Sequence, residues 1–324
     1  MTAKVYVIIP CYKVVKHIAD VVQSIGSEVD RIIVVDDCCP DGSGDFVIQK
    51  MDDPRVIVLK HDHNKGVGGA VMTGYKYALF DGADICVKID GDGQMDPTLI
   101  PSIIRPIVAG QADYVKGNRF CSLYDVSTMP KLRLFGNTML SFMTKISSGY
   151  WSVFDPTNGF TAIHRCALQR LSLDQIDERY FFETNMLIAL GGLRARVLDM
   201  PMQAVYGDEV SGLKIKDILG NFAKKQLKAI ARRLVYQYYL RDFSLASIHL
   251  PVGLVLLLFG FSVGVSAWME SLQTGVVATS GTVILSALPV LLGVQFILSF
   301  FSFDIGSEPS VSLQSFGFSE KKGE

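Results

Sequence analysis

The chain has 324 residues, 31 basic and 32 acidic side chains, and a hydrophobic content of 49%. That length supports one large or two modest domains with a real core, and so apolar a chain at net charge -1 cannot be intrinsically disordered. A mean hydropathy of +0.31 exceeds what one globular core needs, and charge is segregated: net -4 over residues 1–213, net +7 over 214–241, and from Phe243 to Phe303 a single charged residue, Glu270.

In the first part, short apolar, β-branched runs alternate with stretches able to form helices. Strands are expected at Val5–Ile9, Arg31–Val35, Val56–Leu59, Ile85–Ile89 and Tyr114–Lys116. Such alternation predicts an α/β domain with a parallel or mostly parallel sheet. Ligands of these sheets bind beyond the carboxyl ends of the strands, which makes three strand ends informative. The first ends in Pro10-Cys11-Tyr12, the second in Asp36-Asp37, and the fourth in Asp90-Gly91-Asp92-Gly93-Gln94.

On extended backbone, residues i and i+2 point the same way, so Asp90 and Asp92 can present two carboxylates together. Two like charges so close call for a cation, and oxygen ligands select a hard one, Mg²⁺ or Mn²⁺. Ordinary turn composition is the other reading of Asp-Gly-Asp-Gly. Asn64–Ala70 (NKGVGGA) precedes a helical stretch, and its amides, helix N-terminus and Lys65 suit an anion; a glycine-rich helix entry is the alternative. No phosphate-binding P-loop occurs, and no glycine fingerprint follows the first strand, which argues against nucleotide hydrolysis of that type and against dinucleotide chemistry. Six cysteines show no Cys-x-x-Cys pair and no clustered histidines, so they are read as reduced thiols rather than as zinc ligands or disulfides.

Residues 214–241 carry Ile215, Ile218, Leu219, Phe222, Leu227, Ile230, Leu234 and Tyr238 at steps of mostly three or four, with basic residues between them. This predicts an amphipathic helical segment lying in the headgroup layer with its cations toward anionic lipid. The other possibility is a helix packed on its own domain. Two spans follow, about 250–269 and 283–303, each able to cross a hydrocarbon core of about 30 Å. Six basic residues precede the first span and none lies between the two, so the positive-inside rule puts residues 1–213 and both termini in the cytosol. Near the start, VYVIIP is too short for a signal sequence and reads as a strand. The organisation expected is therefore a cytosolic domain over 1–213, a basic segment over 214–242, a hairpin over 248–303 and a cytosolic tail over 304–324. Gly253, Gly260 and Gly264 offer small faces that suit packing between protomers.

Taken together, the motifs resemble family 2 glycosyltransferases of GT-A fold, especially the polyprenyl-phosphate sugar transferases related to dolichol-phosphate mannose synthase and bactoprenol glucosyltransferase. The resemblance implies that Pro10 and Tyr12 line a base pocket and that Asp36 and Asp37 meet base and ribose, one of them alternatively capping the following loop. Lys65 and Gly66 stand beside the nucleotide, Asp90 and Asp92 match the D-x-D metal motif, and Gln94 follows it. Arg119 matches a phosphate-facing Gly-Ser-Arg. Asp155 and Glu183 match acidic residues on the acceptor side, and Ser211 and Lys214 match a flexible Gly-x-Ser-Lys segment. Lys13, Val14, Cys38 and Tyr206 depart from the family pattern.

The activity implied is inverting, Mg²⁺- or Mn²⁺-dependent transfer of a sugar from a UDP- or GDP-sugar to a polyprenyl phosphate at the cytoplasmic membrane. Glu183 is followed by Thr184 rather than by a second acid, which favours a phosphate acceptor that needs no base. Transfer to a hydroxyl of a glycolipid or polysaccharide, with Glu183 or Asp155 as base, is the alternative. A non-catalytic nucleotide-sugar-binding subunit is the reading from a different class. Nucleic acid is not an expected partner.

Overall fold

A computed structural model describes residues 3–120, 131–203 and 215–316. The chain forms two compact units: residues up to Ile230 together with those from Pro309 onward, and Ala231–Glu308.

The first unit is built on a seven-stranded sheet of order β3-β2-β1-β4-β6-β5-β7. The strands are β1 (Val5–Cys11), β2 (Arg31–Asp36), β3 (Val56–Lys60), β4 (Ile85–Lys88), β5 (Tyr114–Asn118), β6 (Thr161–His164) and β7 (Val197–Pro201). All pairings are parallel except those of β6, which runs against both β4 and β5. The five strands expected from the sequence form, several extended by one or two residues. β6 and β7 come in addition.

β1 and β2 are nearly continuous apolar runs because both faces of the sheet are covered. Tyr6, Ile8, Ile33 and Val35 pack on one side beneath α3 (Val67–Phe80) and α7 (Phe182–Leu193). Val7, Ile9, Ile32 and Val34 pack on the other with α1 (Ile18–Gln23) and α4 (Ile100–Val108). Each fully buried isoleucine here contributes about 1.5–3 kcal/mol. The chain steps outward from β1 to β2 and β3 and then returns to place β4 on the opposite side of β1. That reversal opens a crevice at the carboxyl ends of β1 and β4. Helices α2 (Ser43–Lys50), α5 (Lys131–Ser148) and α6 (Arg165–Leu168) complete the unit.

Helix α8 (Ile215–Val235) begins in this unit. Phe222 meets Phe181 edge to face at 4.6 Å. Gln226 is buried and donates Nε2–H to Thr144 Oγ1 at 3.0 Å. Lys225 pairs with Asp177 and lies over the Phe181 ring. The part of the basic helix up to Ile230 therefore packs on its own domain, which corrects the expected boundary at 213 and a wholly lipid-facing role for this segment. The far end of the chain is corrected likewise. Asp113, fully buried, accepts from the backbone N–H of Arg196, Leu313 and Gln314 at 2.8, 2.8 and 3.2 Å, and Ser312 Oγ donates to Gly110 O. Residues 312–314 are part of the first unit rather than a separate tail.

The second unit holds the rest of α8, a π-helical turn over Tyr236–Arg241, and two long helices, α9 (Leu245–Thr274) and α10 (Ser280–Gly306). At 1.5 Å per residue, α9 and α10 are about 45 and 40 Å long, more than enough to cross a bilayer. Only 11% of each apolar window is buried, which separates them from core helices of a water-soluble protein. Both exceed the expected spans at each end because Ser244 and Thr279 cap their N-termini and Gly275, at φ 70°, closes α9.

The two helices pack on small residues. A Cβ on Gly260 would lie 2.7 Å from Ser286 O, one on Gly293 would lie 2.9 Å from Gly253 O, and one on Gly264 would overlap Ser286 Oγ. Gly253, Gly260 and Gly264 thus serve contact within the hairpin. Below the spans, Asp304 is buried and accepts from Arg233 and Tyr238. One of the six basic residues assigned to lipid is therefore turned inward.

Candidate active site

Three of the strand-end motifs reach the carboxyl edge of the sheet. Tyr12, just past β1, is 43% exposed and carries the Lys13 ammonium over its ring at 5.5 Å. Pro10, half-buried, lies two residues before it within β1. A flat exposed ring beside a rigid proline is a stacking surface.

Asp36 and Asp37 are buried, and their carboxylates are occupied by their own chain. Asp36 accepts from the N–H groups of Cys39 at 2.8 Å and Gly44 at 3.1 Å, so it closes the loop after β2. Asp37 accepts from Lys65 N–H at 2.8 Å, from Gly66 N–H at 2.7 Å and from the His61 ring at 2.8 Å. The glycine-rich segment differs from its expected use as an anion cradle for the same reason. Two of its amides are given to Asp37, and Gly69 N–H donates to Glu178 O at 3.0 Å. Gly66, at φ 91°, and Gly68 leave room for the backbone of Asp177 and Glu178. These glycines lock the loop leading to Glu183 against α3, and Lys65 is carried on a braced turn.

Asp90 and Asp92 follow β4. Gln94 N–H donates to Asp92 Oδ1 at 3.0 Å, and Gly93 takes φ 76° to make the turn. Asp90 meets a residue that the sequence reading treats only as part of a strand: Lys88, whose Nζ lies 2.6 Å from Asp90 Oδ1 and 3.8 Å from Glu183 Oε1 while its side chain is 1% exposed. Lys116 is also buried and donates to the carbonyl of Asn158. Glu183, in the first turn of α7, is pushed up to about 7 by burial, against the opposing pull of Lys88 and Lys116. Burial drives Lys116 down to about 8.

Arg119 and Asp155, expected to face a phosphate and the acceptor, face each other. Nε donates to Oδ2 at 2.8 Å and Nη2 to Oδ1 at 3.0 Å. Asp155 is buried, and this bidentate pair engages both of its oxygens. Asp199 sits nearby, raised by burial and accepting from Asn118 and Phe154. Ser211, Lys214 and Tyr206 lie outside the described residues, as does Cys121. Among the described residues Cys11, Cys38, Cys39, Cys86 and Cys166 are free thiols.

No group of three or more His, Cys, Asp or Glu side chains capable of holding a metal exists among the described residues. Asp90 and Asp92, two residues apart in the turn after β4, would offer two hard oxygen donors, with the rest of the ligands left to phosphate and water. That is how Mg²⁺ and Mn²⁺ are usually held beside nucleotides, and the residues fit such an ion.

A mostly parallel seven-stranded sheet with carboxylates beyond its strand ends is of the GT-A type. Its fold is similar to that of glucosyl-3-phosphoglycerate synthase from Mycobacterium tuberculosis, solved with Mn²⁺, UDP and phosphoglyceric acid. The TM-score is 0.54 at 18% identity, over 71% of this chain and 78% of that one. The model of Glycosyl transferase family 2 matches residues 6–172, and the chain belongs to that family. It is 34% identical over 220 residues to a UDP-N-acetylglucosamine–dolichyl-phosphate N-acetylglucosaminyltransferase of Methanococcus voltae, covering 62% of this chain and 86% of the relative. To an undecaprenyl-phosphate mannosyltransferase of Micrococcus luteus it is 29% identical over 206 residues, covering 62% and 84%. The chain is a glycosyltransferase, and the reading of it as a binding subunit without activity is set aside.

Proposed function

We propose that this enzyme transfers one sugar, with inversion, from a UDP- or GDP-sugar to a polyprenyl phosphate at the cytoplasmic face of a membrane. The observation that carries this reading is the engagement of Asp155 by Arg119, joined to two apolar helices in the same chain. With Asp155 held, a pair of carboxylates for deprotonating a hydroxyl is lacking, and a phosphate monoester with a second pKa of about 6 needs no such base. The relatives named for dolichyl and undecaprenyl phosphate support the same acceptor class.

In this reading Tyr12 stacks on the base, while Asp36 and Asp37 act through the loops they hold rather than as the main donor contacts. Lys65 and Arg119 place positive charge beside the diphosphate, and Ser211 and Lys214 belong to a segment that closes over it. Asp90 and Asp92 would hold Mg²⁺ or Mn²⁺, which when bound supplies positive charge to the departing nucleotide. Glu183, poised near neutrality, orients the acceptor. Two consecutive spans would return the chain to the side of the membrane from which it starts. The basic residues before α9 favour the cytosol for that side.

One observation favours a second reading. A carboxyl near pKa 7 is suited to take a proton from a sugar hydroxyl. The two are separated by offering a polyprenyl phosphate and the matching glycolipid hydroxyl acceptor in the same bilayers. Our reading requires labelled sugar in the first alone.

A further inference from the structure

Three strands place charged side chains in one lateral row on the face covered by α3 and α7. Lys88 on β4 pairs in register with Thr161 on β6, Thr161 with Lys116 on β5, and Lys116 with Asp199 on β7. Lysines in the interior of a sheet carry a large desolvation cost unless anions meet them. Lys88 meets Asp90 at 2.6 Å and Glu183 at 3.8 Å. Gly159 is the residue that makes space for this contact, because a Cβ there would overlap the Lys88 ammonium and lie 2.7 Å from Asp90 Oδ2. The first carboxylate of the D-x-D motif thus has a resident cation supplied by the last residue of β4.

We propose that Lys88 is a positioning residue that clamps Asp90 and Glu183 and thereby makes entry of a divalent cation conditional on the nucleoside diphosphate. The inference rests on the metal reading above. Without nucleotide, an incoming ion meets Asp90 already paired with an ammonium, and the two cations repel at close range. A diphosphate adds anionic oxygens that offset this repulsion and complete the coordination sphere. The consequence is an order of events in which the ion arrives with the donor rather than before it.

The test is Mn²⁺ binding in detergent-solubilised full-length protein, read from loss of the free-ion electron paramagnetic resonance signal. Lys88→Met alone would leave the half-buried Asp90 and Glu183 carboxylates uncompensated and endanger folding, so the comparison uses E183Q against K88M/E183Q, in which cation and anion are removed together. Without nucleotide, the wild type and E183Q should bind Mn²⁺ weakly, and K88M/E183Q at least tenfold more tightly. Adding Asp92→Asn to the double variant should reverse that gain. With UDP or GDP present, the wild type and both of these variants should retain nucleotide in a Mn²⁺-dependent way by equilibrium dialysis. Equal Mn²⁺ affinity of E183Q and K88M/E183Q without nucleotide, alongside normal Mn²⁺-dependent nucleotide retention, overturns the role of Lys88 alone. Absence of Mn²⁺-dependent retention in all three overturns the metal reading beneath it.

Discussion

Arg119 and Asp155 form a bidentate ion pair, 2.8 and 3.0 Å between donor and acceptor atoms, that joins the end of β5 to the middle of the loop leading into β6. Two residues assigned separate jobs from their motifs are one structural unit. Removing one partner leaves the other charge without its counterpart, so Asp155→Asn should cost up to about 3 kcal/mol of stability and most of the turnover. The double variant Arg119→Met with Asp155→Asn should regain much of the stability and none of the activity. Chemical denaturation beside turnover measures both, and full activity in the double variant would assign the pair to scaffolding alone.

Asp37 gathers three donors, from Lys65, Gly66 and His61. In Asp37→Ala these buried groups lose their acceptor, at about 1–3 kcal/mol for each one left unsatisfied. The turn that carries Lys65 should loosen, raising KM for the donor sugar at least tenfold with a smaller change in kcat. A steady-state titration of donor decides this. An unchanged KM would show that the glycine segment is remote from the nucleotide.

The pH dependence follows from Glu183. Its carboxyl is raised from 4.5 to about 7, so between those values the folded protein keeps a proton that the unfolded chain has lost, and stability falls as pH rises through that window. E183Q has no proton to lose there. Its melting temperature relative to wild type should therefore improve from pH 5 to pH 7.5. Lys116 acts in the opposite sense at higher pH: lowered from 10.5 to about 8, it lets stability recover as pH climbs from 8 toward 10.5. An equal difference in melting temperature between the wild type and E183Q at both pH values would place Glu183 in a solvated setting.

Much of this was legible in the sequence. The β-branched runs of β1 to β5 announce a sheet buried on both faces, and charge segregation marks the two spans. Two strands were not legible, because Thr161–His164 and Val197–Pro201 are short and carry Thr161, His164 and Asp199 within them. Lys88 and Lys116 do leave a trace in the sequence: each interrupts an apolar strand where a core residue belongs. The link of Asp113 to Leu313 and Gln314, about 200 positions apart, leaves no local trace in composition or period. The donors that satisfy Asp36, Asp37 and Asp155 are largely backbone amides and a distant arginine, and motif spacing carries no information about them.

The hairpin depends on close approach at glycine. Gly260→Leu would force a side chain against Ser286 O and Val290, and overpacking of this kind costs about 1–3 kcal/mol. In detergent this variant should melt earlier while its catalytic unit still binds nucleotide with wild-type affinity. An unaltered melting temperature would place the two helices apart in the membrane.

The most direct measurement is the mass of the lipid recovered after incubating the full chain in bilayers with undecaprenyl or dolichyl phosphate, a panel of UDP- and GDP-sugars, and Mg²⁺ or Mn²⁺. The wild type should add one sugar residue to the phosphate with one of these donors, and Asp92→Asn or chelation of the cation should abolish that product. Sugar-lipid formed at the wild-type rate by Asp92→Asn, or in the presence of chelator, would contradict the account.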